Sequence, residues 1–277
     1  MMNRIHKSML TVALAGTLGI GVQAADKTVV CEGSTTVLPI AEAFAEHFMK
    51  THPDVNVTVA GGGSGNGAKA IMNGTADVGN LSRFMKQKEF LACAQMGRMP
   101  VAHVVAYDGI AIAVNPGNSV AALTIEQVRD IYAGDITNWK QLGGPDKEIV
   151  LISRDHNSGT FETFKKLVMG TEKEISTSAQ SMGSNGAVRT GIQNTPGAIG
   201  YVGLGFMDGV KALKINDIMP SAETVKTGAY PVARPLFMFT DGYPKMGSTL
   251  YQFVTLYLTE DGQDIVEGLD FVPVTDY

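Results

Sequence analysis

The chain has 277 residues, enough for one large domain or two smaller ones, and a formal net charge of −5. An acidic protein without a basic run repels DNA, RNA and anionic lipid, so the composition argues against nucleic-acid binding. The five histidines show no metal-ligand spacing, and we expect neither a metal site nor a cofactor. Any anion that this chain binds must therefore be held by local groups.

Residues 1–24 are typical of a secretory signal peptide. Arg4 and Lys7 precede the apolar run MLTVALAGTLGIGV, and the segment ends at the small residue Ala24. The run is short and contains glycine, which disfavours a membrane span of about 20 residues. We expect cleavage after Ala24, export to an oxidising compartment and a mature net charge of −7, because both Arg4 and Lys7 are then lost.

The chain contains two cysteines, Cys31 and Cys93. In an oxidising compartment they can form a disulfide. Two buried free thiols fit the sequence nearly as well, so the pairing stays open.

Short apolar strands alternate with helical patterns along the chain. The strand Thr28–Val30 precedes a helix predicted in VLPIAEAFAEHFMK, where apolar residues recur at helical spacing. The predicted strands VNVTVA and IVLIS are likewise followed by the helical patterns AKAIMNG and TFETFKKLVMG. Such repeats favour an α/β fold with mostly parallel sheets, in which ligands bind where strands end and helices begin.

Three of the loops that enter helices carry hydroxyls and glycines: Gly33–Thr36, Gly63–Gly65 and Ser158–Thr160. Each hydroxyl could simply cap its own helix, since Ser and Thr are favoured N-caps. Glycines and free N–H groups at a helix start also favour an anion. Because Arg154 lies four residues before Ser158 and a guanidinium can hold two oxygens of one oxyanion, the loops together predict a site for a tetrahedral anion.

Other interpretations of these loops are weaker. Gly63–Ala68 fits a loose dinucleotide-binding pattern but lacks an acidic residue about 20 positions further on. Neither a Walker loop nor a G-x-S-x-G elbow is present. A secreted phosphatase or esterase that uses Ser158, with His156 as its base, is the alternative, although the sequence proposes no carboxylate to complete a triad.

The chain resembles the periplasmic phosphate-binding proteins of Pst-type ABC importers over most of its mature length. The matching motifs, in the family's order, are EGSTTVLPIAEAF, AGGGSGNGAKAIMNGTADVG, LSR, NPGNSV, LTIEQVRDIYAGDITNWKQLGG, SRDHNSGTFETF and NTPGAIGYV. The LTIEQ segment, with a capping box at Thr124 and Gln127 and the single Trp139, is the most specific of them.

This resemblance implies a binding protein and not an enzyme. It implies a periplasmic receptor that captures inorganic phosphate and delivers it to the membrane permease of an ABC importer. Two lobes that must open and close favour a monomer. A phosphate-binding relative that does not feed a transporter is a further alternative.

The resemblance also implies a type II-like periplasmic-binding-protein fold with two hinge-linked α/β lobes and the ligand between them. Residues 25–105 and 231–277 would form lobe 1, and residues 106–230 would form lobe 2. The segment VAHVVAYDGIAIAVN would cross the hinge, and the segment before Pro235 would cross back. The implied phosphate ligands are Thr35, Thr36 and Ser64 from lobe 1, and Arg154, Ser158, Gly159 and Thr160 from lobe 2.

The chain departs from some relatives at Ser82 and Arg83. In those relatives an aspartate follows the serine and accepts the proton of monohydrogen phosphate, whereas this chain has Arg83. A site with such an acceptor can reject sulfate by roughly 10⁴. Ser82 stays in the implied ligand set, and Arg83 either binds the anion or forms a surface ion pair. The proton acceptor must then lie elsewhere: Asp108 at the hinge is the first candidate, and Asp155 is the second.

Overall fold

The computed structural model describes residues 27–171 and 173–275, so the expected signal peptide and its cleavage site lie outside the described part. The strands β1–β11 are Thr28–Gly33, Asn56–Gly61, Val78–Leu81, Pro100–Val114, Ala122–Leu123, Val150–Arg154, Gln180–Met182, Ala198–Gly203, Lys211–Ala212, Lys214–Ile215 and Ala233–Asp241. The helices α1–α9 are Leu38–Thr51, Ser64–Asn73, Gln87–Gln95, Ile125–Ala133, Gly159–Phe164, Asn185–Asn194, Ala222–Lys226, Thr249–Val254 and Glu260–Gly268. None of the helices in this part of the chain combines the length and apolar character needed to cross a membrane.

The first lobe is built on parallel strands, as the strand, loop and helix repeats predict. Strand β1 pairs in parallel with β2 on one side and β3 on the other. Helix α1 packs on this sheet through Ile40, Phe44 and Phe48, whose spacing of four residues places them on one helix face. The carboxyl ends of β1 and β3 therefore lie together, next to the starts of α1 and α2.

Strands β4 and β11 connect the two lobes. Through Gly109, β4 pairs antiparallel with β11, and from Ile110 onward it pairs antiparallel with β8 of the second lobe. The sheet order is β2-β1-β3-β11-β4-β8-β6-β7, with β9 also paired to β4. The expectation of mostly parallel sheets thus holds within each lobe and is wrong at the centre, because the chain crosses on β4 and returns on β11.

The apolar cores divide on either side of these crossing strands. The largest core lies between Ile110 and Val232 and also includes Val272. Another draws on residues 29–106 and 236–271. This division agrees with a two-lobe fold. The exact lobe limits expected at residues 105/106 and 230/231 stay a prediction.

Helix α4 begins with the expected capping box. Thr124 Oγ1 accepts a hydrogen bond of 3.1 Å from the Gln127 N–H, and Gln127 Oε1 accepts one of 2.8 Å from the Thr124 N–H. The single tryptophan, Trp139, is fully buried, and its Nε1–H donates to the Gly197 carbonyl at 2.9 Å. The segment therefore forms part of the core that lies between Ile110 and Val232.

Helix α5 is shorter than the TFETFKKLVMG pattern predicts. It ends at Phe164 and continues as a π-helical turn over Lys165–Met169, with the Gly170 N–H bonded to the Lys165 carbonyl. Phe164 and Met169 are five residues apart and both fully buried. A π-turn, with its bonds between residues five apart, allows both side chains to face the same core.

The two cysteines do not form a disulfide. Cys31 and Cys93 are free, buried and part of different apolar clusters. Burial raises the pKa of both thiols, so both stay protonated and unreactive at neutral pH.

Replacing Trp139 with Phe should destabilise the protein by about 2–4 kcal/mol, because a smaller ring leaves a cavity and the Gly197 carbonyl loses its buried donor. Urea unfolding followed by far-UV circular dichroism measures the change. The control is Lys140→Ala, at the residue next to Trp139. It removes an exposed ion pair with Asp146 and should shift the free energy of unfolding by less than about 1 kcal/mol. Equal shifts in the two variants would contradict a structural role for the indole.

Candidate functional site

The hydroxyl-bearing loops of the two lobes meet in the cleft. Thr36 Oγ1, just before α1, lies 3.0 Å from Thr160 Oγ1 in the first turn of α5. Ser64, Ser158 and Thr160 are all at most 1 % exposed. The three loops predicted from the sequence therefore come together in one buried cluster.

Two serines of this cluster accept hydrogen bonds from backbone N–H groups at or just before a helix start. Ser34 Oγ accepts hydrogen bonds from the Thr36 and Val37 N–H groups at 3.1 and 3.3 Å. Ser158 Oγ accepts one from the Phe161 N–H at 3.2 Å. Ser158 thus caps its own helix, and its hydroxyl proton remains available to donate. The hydroxyls of Thr36 and Thr160 do not cap helices; they form contacts between the lobes.

Ser64 and Ser82 form a pair on the lobe 1 side. Ser64 Oγ accepts from the Ser82 N–H at 3.0 Å and lies 3.2 Å from Ser82 Oγ. Gly159 of the other lobe packs directly on this pair: a Cβ at that position would overlap Ser64 Oγ and lie 2.6 Å from Ser82 Oγ. Only glycine lets the backbone at the start of α5 approach so closely.

Arg154 lies at the end of β6 and is 3 % exposed. Its Nε donates to the Met182 carbonyl at 3.1 Å, and its Nη2 donates to the Gly183 carbonyl at 3.0 Å and to Thr35 Oγ1 at 3.2 Å. Its Nη1 is buried and has no hydrogen-bond partner among the described residues. Burial lowers the pKa of Arg154 to about 10, so the group is still a cation at neutral pH.

A second buried guanidinium, Arg234, was missed by the sequence reasoning. It donates to Asp108 Oδ2 from Nε at 3.0 Å and from Nη2 at 2.8 Å. Its Nη1 donates to the Ser82 carbonyl at 3.2 Å, and its Nη2 also reaches Thr160 Oγ1 at 3.0 Å and Thr36 Oγ1 at 3.3 Å. The only sequence signal is an arginine inside the apolar strand ARPLFMF.

Asp108 is fully buried and neutralises Arg234. Its Oδ1 accepts a further hydrogen bond from the Leu204 N–H at 2.9 Å. Burial raises the pKa of this carboxyl, and the charge of Arg234 opposes that rise. Arginine stays protonated in proteins, so the two form an ion pair. With Arg154 also present, the cluster holds two buried cations and one buried anion, an excess of one positive charge.

Arg83 and Asp155 lie outside this cluster of bonds. Both terminal nitrogens of Arg83 bind the Glu89 carboxylate, at 2.7 and 2.8 Å. The ion-pair alternative for Arg83 is therefore the one observed, although the pair is largely buried and not on the surface. Asp155 Oδ1 accepts from the Asn157 N–H at 2.9 Å, which shapes the loop before α5.

Two asparagines that the sequence reasoning did not single out join the lobes. Asn185, at the start of α6, donates from Nδ2 to Thr36 Oγ1 at 2.9 Å. Asn157 donates from Nδ2 to Asn66 Oδ1 at 2.8 Å, and its carbonyl accepts from the Gly65 N–H at 3.0 Å. An S-N-G triplet at a helix start indicates only capping. The sequence therefore gives no sign of the contact between Asn185 and Thr36, which are 149 residues apart.

In the described part of the chain, Ser158 and His156 are not arranged as a nucleophile and its base. His156 is exposed, its ring packs edge-on against Phe161 at 4.9 Å, and no hydrogen bond joins it to Ser158 in the described part of the chain. Among those residues no group of three or more His, Cys, Asp or Glu side chains could hold a metal ion. What the cluster offers is a set of hydrogen-bond donors around two cations.

Comparison with known proteins places the chain in a family. A profile described as the PBP superfamily domain matches residues 21–261. The phosphate-binding protein PstS of Bacillus subtilis is 34 % identical over 92 % of this chain and 84 % of its own length. The chain belongs to the PstS phosphate-binding protein family.

Solved members of this family share the fold. A putative phosphate ABC transporter substrate-binding protein from Clostridium perfringens, crystallised with bound phosphate, is 35 % identical, with a TM-score of 0.83 over 90 % of this chain and all of its own. An ABC-type phosphate transport receptor from Vibrio cholerae is 28 % identical, with a TM-score of 0.71 over 88 % of this chain and 99 % of its own. The two-lobe fold expected for the family is therefore confirmed.

Replacing Asp108 with Asn should destabilise the protein by about 3 kcal/mol without added anion, because Arg234 then stays buried beside no carboxylate. Urea unfolding in phosphate-free buffer measures the loss. Asp146→Asn is the matched control: it breaks the exposed pair with Lys140 and should cost less than about 1 kcal/mol. An Asp108→Asn variant as stable as the wild type would show that Arg234 does not depend on this carboxylate.

Proposed function

We propose that this chain is an exported, monomeric receptor that binds inorganic phosphate between its lobes and delivers it to the membrane permease of an ABC importer. One observation carries the proposal. Two guanidinium groups, on Arg154 and Arg234, are buried in the cleft with a single carboxylate, and Arg154 Nη1 has no partner among the described residues. An uncompensated buried cation is costly, and a bound anion removes that cost.

The donors around these cations suit a tetrahedral oxyanion. The proposed ligands are the hydroxyls of Thr35, Thr36, Ser64, Ser82, Ser158 and Thr160, the backbone at Gly159 and the guanidinium of Arg154, and we now add Arg234. Helices α1, α2 and α5 all begin beside this cluster, and the positive end of a helix dipole favours negative charge. We leave Arg83 out, because Glu89 holds its terminal nitrogens.

We infer that Asp108, and not Asp155, accepts the proton of the bound phosphate. Asp108 is fully buried, and the Nη2 of Arg234 that binds it also binds Thr36 and Thr160. Among the described residues, the Leu204 N–H is the one donor to its Oδ1, so a lone pair of that oxygen can accept the phosphate proton. A sulfate ion carries no proton at neutral pH and would be repelled by this carboxylate.

Closure of the lobes would couple binding to transport. Bonds such as Thr36 to Thr160 and Arg154 to Thr35 join residues of different lobes and exist only when the cleft is shut. An anion that touches both lobes favours the shut form, because it adds contacts that the open form lacks. The permease could then distinguish a loaded receptor from an empty one.

Arg154→Ala should weaken phosphate binding by about a hundredfold or more, because the anion loses charge-assisted bonds inside a buried site. Isothermal titration calorimetry of dialysed protein at neutral pH measures the affinity. The matched control is Arg98→Ala, which also removes one arginine. Arg98 pairs with Asp241 at the far end of β11, about 23 Å along the strand from Arg234, and its loss should change the affinity by less than about threefold.

Near wild-type phosphate binding by Arg154→Ala would contradict the proposed site. No heat with phosphate from the wild-type protein would contradict the proposed function.

Asp108→Asn should reduce the preference for phosphate over sulfate by at least about tenfold, because the amide no longer repels an unprotonated dianion. Paired titrations of each variant with phosphate and sulfate give the ratio of affinities. Asp155→Asn makes the same chemical change on a half-buried side chain beside Arg154 and should leave the ratio unchanged. The reverse result would make Asp155 the acceptor.

A further inference from the structure

Asn185 lies in the cleft with its amide fixed in one orientation. The side chain is fully buried at the start of α6, where Ser184 Oγ accepts from the Ala187 N–H and so caps the helix in its place. Asn185 Oδ1 accepts from the Gly203 N–H at 3.3 Å. Its Nδ2 must then point at the first lobe, where it donates to Thr36 Oγ1 at 2.9 Å and lies 3.4 Å from Thr35 Oγ1.

Both acceptor sites of the Thr36 hydroxyl oxygen consequently face donors of the protein. A hydroxyl oxygen has two acceptor sites and one proton to give. Thr36 Oγ1 accepts from Asn185 Nδ2 at 2.9 Å, and at 3.3 Å it shares with Thr160 Oγ1 the one Arg234 Nη2 proton that Asp108 does not take. The Thr36 hydroxyl therefore donates its own hydrogen bond to a third group, which is Thr160 Oγ1 at 3.0 Å or a bound anion.

The same count applies to the next hydroxyls. Thr160 Oγ1 accepts from Arg234 Nη2 at 3.0 Å, and when it also accepts from Thr36 its own proton is left to donate onward. Thr35 Oγ1 lies within 3.4 Å of two N–H donors, one on Arg154 and one on Asn185, so its proton too is directed away from the protein donors. Chains of hydrogen bonds ordered in this way strengthen one another.

We propose that Asn185 is a positioning residue that sets the direction of the threonine hydroxyls, so that they can only donate to the bound anion. This inference rests on the proposed function and adds to it a cause for anion preference. Because Asn185 donates to both Thr35 and Thr36 from the opposite lobe, the hydroxyls reach this donor-only state when the lobes close.

Asn185→Asp tests the direction of the bonds. The carboxylate has nearly the same shape but accepts where the amide donates, so the Thr36 proton turns to the carboxylate and a lone pair faces the anion. We expect phosphate affinity at pH 8 to fall about a hundredfold, against about tenfold for Asn185→Ala, which only removes the donor. Asn194→Asp makes the same change at the exposed end of the same helix and should alter affinity by less than about twofold.

A second readout separates positioning from simple packing. Protonation of the new carboxyl restores an O–H donor, so phosphate binding by Asn185→Asp should take up more protons than binding by Asn185→Ala. Calorimetry in two buffers of different ionisation enthalpy measures this uptake. A loss of affinity in Asn185→Asp no larger than in Asn185→Ala, with equal proton uptake, would overturn the proposal.

A double-mutant cycle keeps the test decisive should Asn185→Asp fail to fold, as judged by circular dichroism and urea unfolding. Asn185 acts through Thr36, so in a Thr36→Val background the Asn185→Ala change should cost less than about threefold in affinity. An equal cost in both backgrounds would overturn the proposal. Wild-type protein that does not bind phosphate would instead refute the proposed function, so the two failures are distinguishable.

Discussion

The structure depends on the burial of two like charges in one cleft. Arg154 and Arg234 are both nearly inaccessible to solvent, and burial, with the charge of Arg234 acting in the same direction, lowers the pKa of Arg154. Removing a guanidinium from water costs several kcal/mol unless its donors are satisfied and its charge is matched. The carbonyls of Met182, Gly183 and Ser82 satisfy donors, and Asp108 matches one charge. The remaining charge is the physical reason for a bound anion, and it links ligand binding to the shut form of the cleft.

The crossing strands β4 and β11 carry the guanidinium whose charge is matched, Arg234, and its partner Asp108. Asp108 and Arg234 are direct neighbours across the β4 and β11 ladder, so backbone register fixes their ion pair. The partners supplied by the helix starts lie on loops of one lobe or the other, and these loops can separate. The crossing strands therefore act as a fixed reference: the ion pair stays on the hinge ladder, and Thr36 from one side and Thr160 from the other close onto the same Arg234 nitrogen.

Sequence reasoning predicted what is encoded locally. Helix periodicity, the Thr124 capping box and glycine-hydroxyl loops all depend on residues a few positions apart, and the structure contains each of them. Arg234 could not be recognised in this way, because its partner Asp108 is 126 residues away and an arginine in an apolar strand gives no hint of its contacts. For Arg83 the sequence left open whether it binds the anion or forms an ion pair. Its partner Glu89 is only six residues away, but the fold is needed to show that the two side chains meet.

The acidic charge of the chain is compatible with an anion site of this kind. Repulsion from a negative surface acts through solvent and is screened within about 8 Å at physiological ionic strength, so it slows the approach of an anion more than it weakens a contact. The guanidiniums and hydroxyls act at hydrogen-bond distance inside the protein, where screening is weak. A single uncompensated positive charge also attracts the anion only moderately. Neutral donors supply the rest of the coordination, so the site can gain selectivity from geometry without holding the anion so strongly that the open form cannot release it.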